Sequence, residues 1–312
     1  MLNVTPAHEI ERVNRKVFYL TAFVNVGLLL LAALVDSWAL KIGIAILFSF
    51  TNNTMFSLLH EAVHGSFSDN PKTNRIFGIL TSAFFPTVYD FQKRVHLAHH
   101  KNNRSRLEQF DLIRENDIKW LKYSQWYAIL TGIYWCFPVL GVFVLAVAPN
   151  LLTSKLWTKF PQFSEQVGTI SMFSPLQKTD LSKIRWQAVW TLSFQVFVLF
   201  LMGWQWQTWL LCYAFFGINW SSLQYADHAW SPLDPIEGAW NLRVPGWVHF
   251  FFLNYHFHKV HHEHPSMSWM DLKNNVNAKD PNPTFYEIYK EMWKGPKHLN
   301  QVKLDETQNS FN

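Results

Sequence analysis

The sequence predicts an all-α integral membrane protein, and three observations carry that expectation. Its 312 residues are 49% hydrophobic with 27 Phe and 16 Trp, yet the mean hydropathy is only −0.03. Strongly apolar runs therefore alternate with polar, His- and Lys-rich connections. Several of these runs approach twenty residues, which at 1.5 Å per helical residue matches a hydrocarbon core of ~30 Å. The 14 histidines gather beside the runs instead of scattering along the chain. A formal charge of +5 suits an anionic membrane surface, and no nucleic-acid-binding module accompanies it. Cys136 and Cys212 are the only cysteines and each sits in an apolar run, which excludes a disulfide framework or a Cys-based zinc site.

Taken in order, Arg12, Arg15 and Lys16 precede the apolar run 17–35. It is too long for a signal-peptide core and a second run follows at once, so it reads as a retained anchor with its basic start in the cytoplasm. After Asp36-Ser37, residues 38–59 return across the bilayer and deliver His60-Glu-Ala-Val-His64. The polar section that follows is interrupted by the apolar stretch 76–88, short for a span and carrying Pro86, which reads as an interfacial or re-entrant helix. Next comes His96-Leu-Ala-His99-His100. Of the further runs 126–148, 188–202 and 206–228, one must stay on one side if the histidine groups are to meet, because that requires an even number of crossings. The choice falls on 126–148, which contains Pro138 and Gly141 and is flanked by Lys119, Lys122, Lys155 and Lys159. The uncharged link Gly203-Trp-Gln-Trp-Gln207 has Trp at its edges, as an outer interface does. The run 206–228 ends in Gln224-Tyr-Ala-Asp-His228, and aromatic residues 250–253 lead into Asn254-Tyr-His-Phe-His-Lys-Val-His-His-Glu-His-Pro265. From 271 to 312 the chain turns polar, a tail with little structure beyond a helix near 284–293. The whole chain 1–312 thus reads as one domain of about four transmembrane helices, with both termini inside.

Imidazole is a preferred ligand for iron, copper, nickel and zinc. His60-Glu61-Ala-Val-His64 matches the zincin pattern, in which two His on one helical face bind zinc and the Glu is a general base. A zinc metalloprotease is therefore one reading. It needs only one further ligand, whereas the chain offers His96, His99, His100, His228, His258, His261 and His262. Nine imidazoles are too many for one tetrahedral ion and suit two ions of higher coordination. On a helix, His258, His261 and His262 are spaced to converge on one point. Glu61, Asp227 and Glu263 are candidate acceptors for the ligands' other N–H groups, against the plain reading of surface charge. His8 and His298 read as solvated, His249 as interfacial, and His256 and His264 as extra to the set.

The order H-x-x-x-H, H-x-x-H-H, H-x-x-H-H, each beside an apolar span, resembles the membrane fatty acid desaturase and hydroxylase superfamily over roughly residues 20–275. The resemblance implies a His-rich cytoplasmic cap in which His60, His64, His96, His99, His100, His228, His258, His261 and His262 hold two irons. Gln224, four residues before His228, is similar to the family's amide that holds a metal-bound water. The implied activity is O2-dependent desaturation of a fatty acyl chain in a membrane lipid or acyl thioester. The implied setting is a bacterial inner membrane or endoplasmic reticulum, with electrons from a separate ferredoxin- or cytochrome b5-like donor and its reductase. A carotenoid hydroxylase or ketolase, or another lipid hydroxylase of the superfamily, shares the boxes and stays open beside it.

Overall fold

The computed structural model describes residues 4–301 apart from 153–156, 158, 169–172, 174–175 and 177–179. Lys155 and the end of the tail, 302–312, therefore lie outside the described residues. The chain is an all-α membrane protein. Its helices are α1 (Ala7–Leu34), α2 (Trp38–His64), α3 (Pro71–Phe84), α4 (Tyr89–Asn102), α5 (Lys119–Thr131), α6 (Cys136–Val147), α7 (Pro161–Gln166) and α8 (Leu181–Leu201). They continue as α9 (Trp206–Ala226), α10 (Gly246–Phe251), α11 (His258–Glu263), α12 (Trp269–Leu272) and α13 (Phe285–Met292). One small parallel pairing joins β1 (Leu112–Ile113) to β2 (Lys297–His298).

By length and composition α1, α2 and α8 can each cross a membrane, and the α5–α6 pair makes a fourth if it counts as one bent span. α9 has the length of α8 but carries Asn219, Ser221, Ser222 and Gln224, which make it less apolar. Side-chain bonds show that α1, α2, α8 and α9 run between the same two ends. At one end, Lys41 Nζ donates to Gln205 Oε1 at 3.2 Å and Thr208 Oγ1 at 2.9 Å, while Gln205 Nε2 donates to Ala33 O at 2.7 Å. At the other, Asn14 Nδ2 donates to Phe67 O at 3.2 Å and Gln187 Nε2 to Asp90 Oδ2 at 2.8 Å. All three histidine boxes lie toward this second end.

Several elements are longer or placed differently than the apolar runs indicate. α1 starts ten residues before the run 17–35, because the Glu11–Arg15 ion pair and buried Asn14 let a polar stretch continue the helix. α3 starts at Pro71 rather than 76, since Asn70 caps it by accepting from the Lys72 and Thr73 amides. The run 126–148 is two helices bent by 95°. The break falls at Gly132, not at Pro138 or Gly141: Gly132 has φ +82°, and a Cβ there would come within 2.6 Å of the Ile218 amide nitrogen of α9. The tail is docked. α13 opens with the Thr284–Glu287 capping box, Trp126 Nε1 donates to Met292 O at 2.7 Å, and Lys297 N reaches Asp111 O at 2.9 Å.

Candidate metal centre

The nine histidines singled out by their spacing come together in two groups. His60, His64, His96, His100 and His261 form one, and His99, His228, His258 and His262 the other; within each group the ligand atoms all lie within 4.8 Å of one another. In the first group, His96 Nε2 stands 2.9 Å from His60 Nε2 and 3.1 Å from His100 Nε2, and His261 Nε2 stands 3.0 Å from His100 Nε2. In the second, His258 Nε2 lies 3.1 Å from His228 Nε2. For metal–nitrogen bonds of about 2.1 Å, neighbouring donors on one ion stand roughly 3 Å apart, so both groups could hold an ion.

Helical geometry decides which ring goes where. His60 and His64, His96 and His100, and His258 and His262 are i,i+4 pairs, and each pair stays together. The i+3 ring crosses over: His99 leaves the first group for the second, and His261 leaves the second for the first. The expectation that His258, His261 and His262 converge on one point is therefore corrected. At 3.6 residues per turn, an i+3 ring is rotated about 60° one way and an i+4 ring about 40° the other, so at metal-binding reach they part.

The ring nitrogens facing away from the second group are held in place. His228 Nδ1 donates to Gly238 O at 2.8 Å, and His262 Nδ1 is 3.3 Å from Pro235 O. His99 Nδ1 lies 2.5 Å from Glu108 Oε2. A carbonyl can only accept, so His228 carries its proton on Nδ1 and turns a lone pair at Nε2 inward. Among the described residues His262 Nε2 has no hydrogen-bond partner, nor has His64 Nε2 in the first group. Outside the spans, burial and then the neighbouring rings push the His96, His258, His261 and His262 imidazoles well below their ordinary range, and push His100 down to about 2. Clustered neutral imidazoles are the donor set a borderline cation needs, and this is how the residues fit a metal.

The carboxylates behave differently from one another. Glu61 Oε1 accepts from the Trp269 amide at 3.2 Å, and Glu263 sits 3.8 Å from Lys259 Nζ; neither bonds a box histidine among the described residues. Asp227 is fully buried beside the second group, and Gln224 Oε1 receives the Tyr255 hydroxyl at 3.3 Å. His256 is buried against His249 and joins neither group; His264 is half-buried, and His8 and His298 are exposed. Sequence reasoning missed Glu108, the 235–238 loop, and Asn103, whose Nδ2 donates to the Pro235 and Gly238 carbonyls at 3.0 and 3.1 Å. Two of their contacts are made by main-chain carbonyls, which leave no side-chain signature, while a carboxylate nine residues after His99 was the one available signal for Glu108.

Below the rings lies an aromatic wall. Phe56 packs on Phe85, Trp220 and Tyr255 with ring centroids 5.1 to 5.7 Å apart, and Tyr255 stands 4.9 Å from both His60 and His258. On another side, a cavity of about 750 Å³ reaches His64. Its rim includes the segment from Val4, which is tied down by Thr5 bonding Asp271 through both its amide and its hydroxyl.

Comparison with curated proteins and with solved structures returns no match. The fatty acid desaturase profile matches residues 36–293, from the start of α2 to just past α13, a stretch that holds all nine converging rings. A fatty-acid-modifying oxidoreductase is what that profile describes, and with most of its length matched the chain belongs to the fatty acid desaturase family.

Proposed function

We propose that the protein introduces a double bond into a fatty acyl chain, carried in a membrane lipid or as an acyl thioester, with two irons and O2. The convergence of nine imidazoles into groups of five and four carries this reading. His60, His64, His96, His100 and His261 would hold one iron, and His99, His228, His258 and His262 the other. When bound, the irons supply the one-electron chemistry needed to use O2 against an unactivated C–H bond. In balance, –CH2–CH2– and O2, with two electrons and two protons, give –CH=CH– and two waters.

The chain's residues do the rest. Glu108 and the carbonyls of Pro235 and Gly238 orient the second group's rings by holding Nδ1–H. Phe56, Phe85, Trp220 and Tyr255 give a hydrocarbon an apolar surface beside His60 and exclude water there. Gln224 is the residue proposed to hold a water near His228. In this reading α1, α2, α8 and α9 cross the membrane, and the site and both termini face the cytoplasm. There a separate ferredoxin- or cytochrome b5-like donor supplies the electrons.

The test is the fatty-acid profile of cells with and without the protein, together with metal analysis of the purified chain. New unsaturated acyl chains and about two irons per chain are expected. Oxygenated carotenoids with unchanged acyl chains, or one zinc and no iron, would overturn the proposal.

A further inference from the structure

The two histidine groups are unequal, with five imidazoles in one and four in the other. Beside the smaller group lies Asp227, 0% exposed, with no hydrogen-bond partner for either carboxylate oxygen in any other described residue. A buried carboxylate left so is costly: such groups are protonated, paired, hydrogen-bonded, or bound to a cation. Its nearest polar neighbours are ring nitrogens. Asp227 Oδ1 is 3.9 Å from His228 Nε2, and Oδ2 is 3.7 Å from His258 Nε2.

Those are the inward nitrogens. His228 carries its proton on Nδ1, where it donates to Gly238 O, so the neutral ring has no proton at Nε2 to offer Asp227. The contrast with Glu108 is direct. Glu108 meets His99 at Nδ1, on the outside of the group, as an orienting carboxylate does. Asp227 instead approaches two of the inward nitrogens, those of His228 and His258, from just outside the 4.8 Å within which the four ring atoms gather. The distances of 3.7 and 3.9 Å exceed hydrogen-bond length but stay under the ~4.2 Å that two donors about 2.1 Å from one ion can span.

Resting on the di-iron reading above, we infer that Asp227 is a direct oxygen ligand of the second metal, which makes that site four imidazoles and one carboxylate. The carboxylate gives this ion a hard anionic donor that the five-imidazole site lacks, and it neutralises one charge in an otherwise uncharged shell. The two irons are then chemically distinct.

The test is anaerobic loading of the full chain with 57Fe(II), read by iron per chain and Mössbauer spectroscopy. Wild type is expected to hold two irons with two resolved doublets, and Asp227→Asn to fall to about half that iron, keeping the doublet of the five-imidazole site. His258→Ala should lose the same doublet. Two irons with both doublets unchanged in Asp227→Asn would overturn the inference while leaving the di-iron reading intact. No iron in wild type would overturn both. Should the variant fail to fold, wild type enriched with 13C in the Asp carboxyl carbon keeps the inference testable. Iron loading should produce a 13C-sensitive shift of the carboxylate infrared bands, and its absence overturns the assignment.

Discussion

Asp111→Asn removes one charge from a pair that water does not reach. Arg104 and Asp111 are 1% and 0% exposed and meet through two parallel bonds, Nη1 to Oδ1 at 2.8 Å and Nη2 to Oδ2 at 3.0 Å. The pair is built into a wider lock. Arg104 also donates to Tyr225 Oη and Ser231 O, and Asp111 accepts from the Tyr225 hydroxyl and the Trp230 amide. Burial alone would raise the Asp111 carboxyl, but the Arg104 charge and these bonds overcome it and hold it below its ordinary range. Removing one partner of a buried pair costs about 3–5 kcal/mol. The guanidinium keeps two of its bonds, so about 3 kcal/mol is expected, which corresponds to a Tm lower by roughly 6–10 °C in a chain of this size. The 16 Trp allow unfolding in detergent to be followed by intrinsic fluorescence. A double variant, Arg104→Met with Asp111→Asn, should be markedly less destabilised than the sum of its singles. A Tm within 2 °C of wild type for Asp111→Asn, or strict additivity in the double variant, would refute the reasoning.

Three further outcomes follow from the site. His261→Ala should abolish product formation in whole cells, whereas His264→Ala, outside both groups, should weaken it at most; equal activity of the two would contradict the grouping. Glu108→Ala frees the His99 ring, and iron affinity measured by competition with a chelator should fall about 10–100-fold, an unchanged affinity counting against the orienting role. His256 is held near 3 by burial, then by His249 and Lys273. Its folded pKa lies below the unfolded value of about 6.5, so below that pH the unfolded chain binds the extra proton and stability falls as pH drops, by about 1.4 kcal/mol per pH unit. His256→Phe should therefore flatten the decline in urea midpoint between pH 6.5 and 5, and an unaltered slope would rule this out.

The metal site was far more legible than its internal order. Metal affinity resides in side-chain identity, and spacing on a helix shows which rings share a face, so the nine histidines could be picked out before any fold was known. Whether His261 joins His258 or crosses to His100 depends on how α11 is rotated against α4, which is a tertiary fact. The supporting bonds were hidden for a different reason: Pro235 and Gly238 act through carbonyls that every residue possesses. Helical membrane architecture was readable from the apolar runs. The bend at Gly132 was not, because it depends on close approach to Ile218, and neither was the docking of the tail, which rests on Trp126 meeting the Met292 carbonyl.

The crossing of His99 and His261 gives the second and third boxes the property of a reading frame. Consecutive helical residues point about 100° apart, so the backbone step from His99 to His100, and from His261 to His262, assigns neighbouring rings to different groups. Replacing the exposed Leu97 between His96 and His99 leaves that assignment intact. Inserting a single residue at the same place would bring the His99 ring to the i+4 position of the first group and turn His100 away from both, leaving the second group one ring short. Within the boxes chain length is thus constrained more tightly than the identity of the intervening residues, and one shifted position should disrupt the centre.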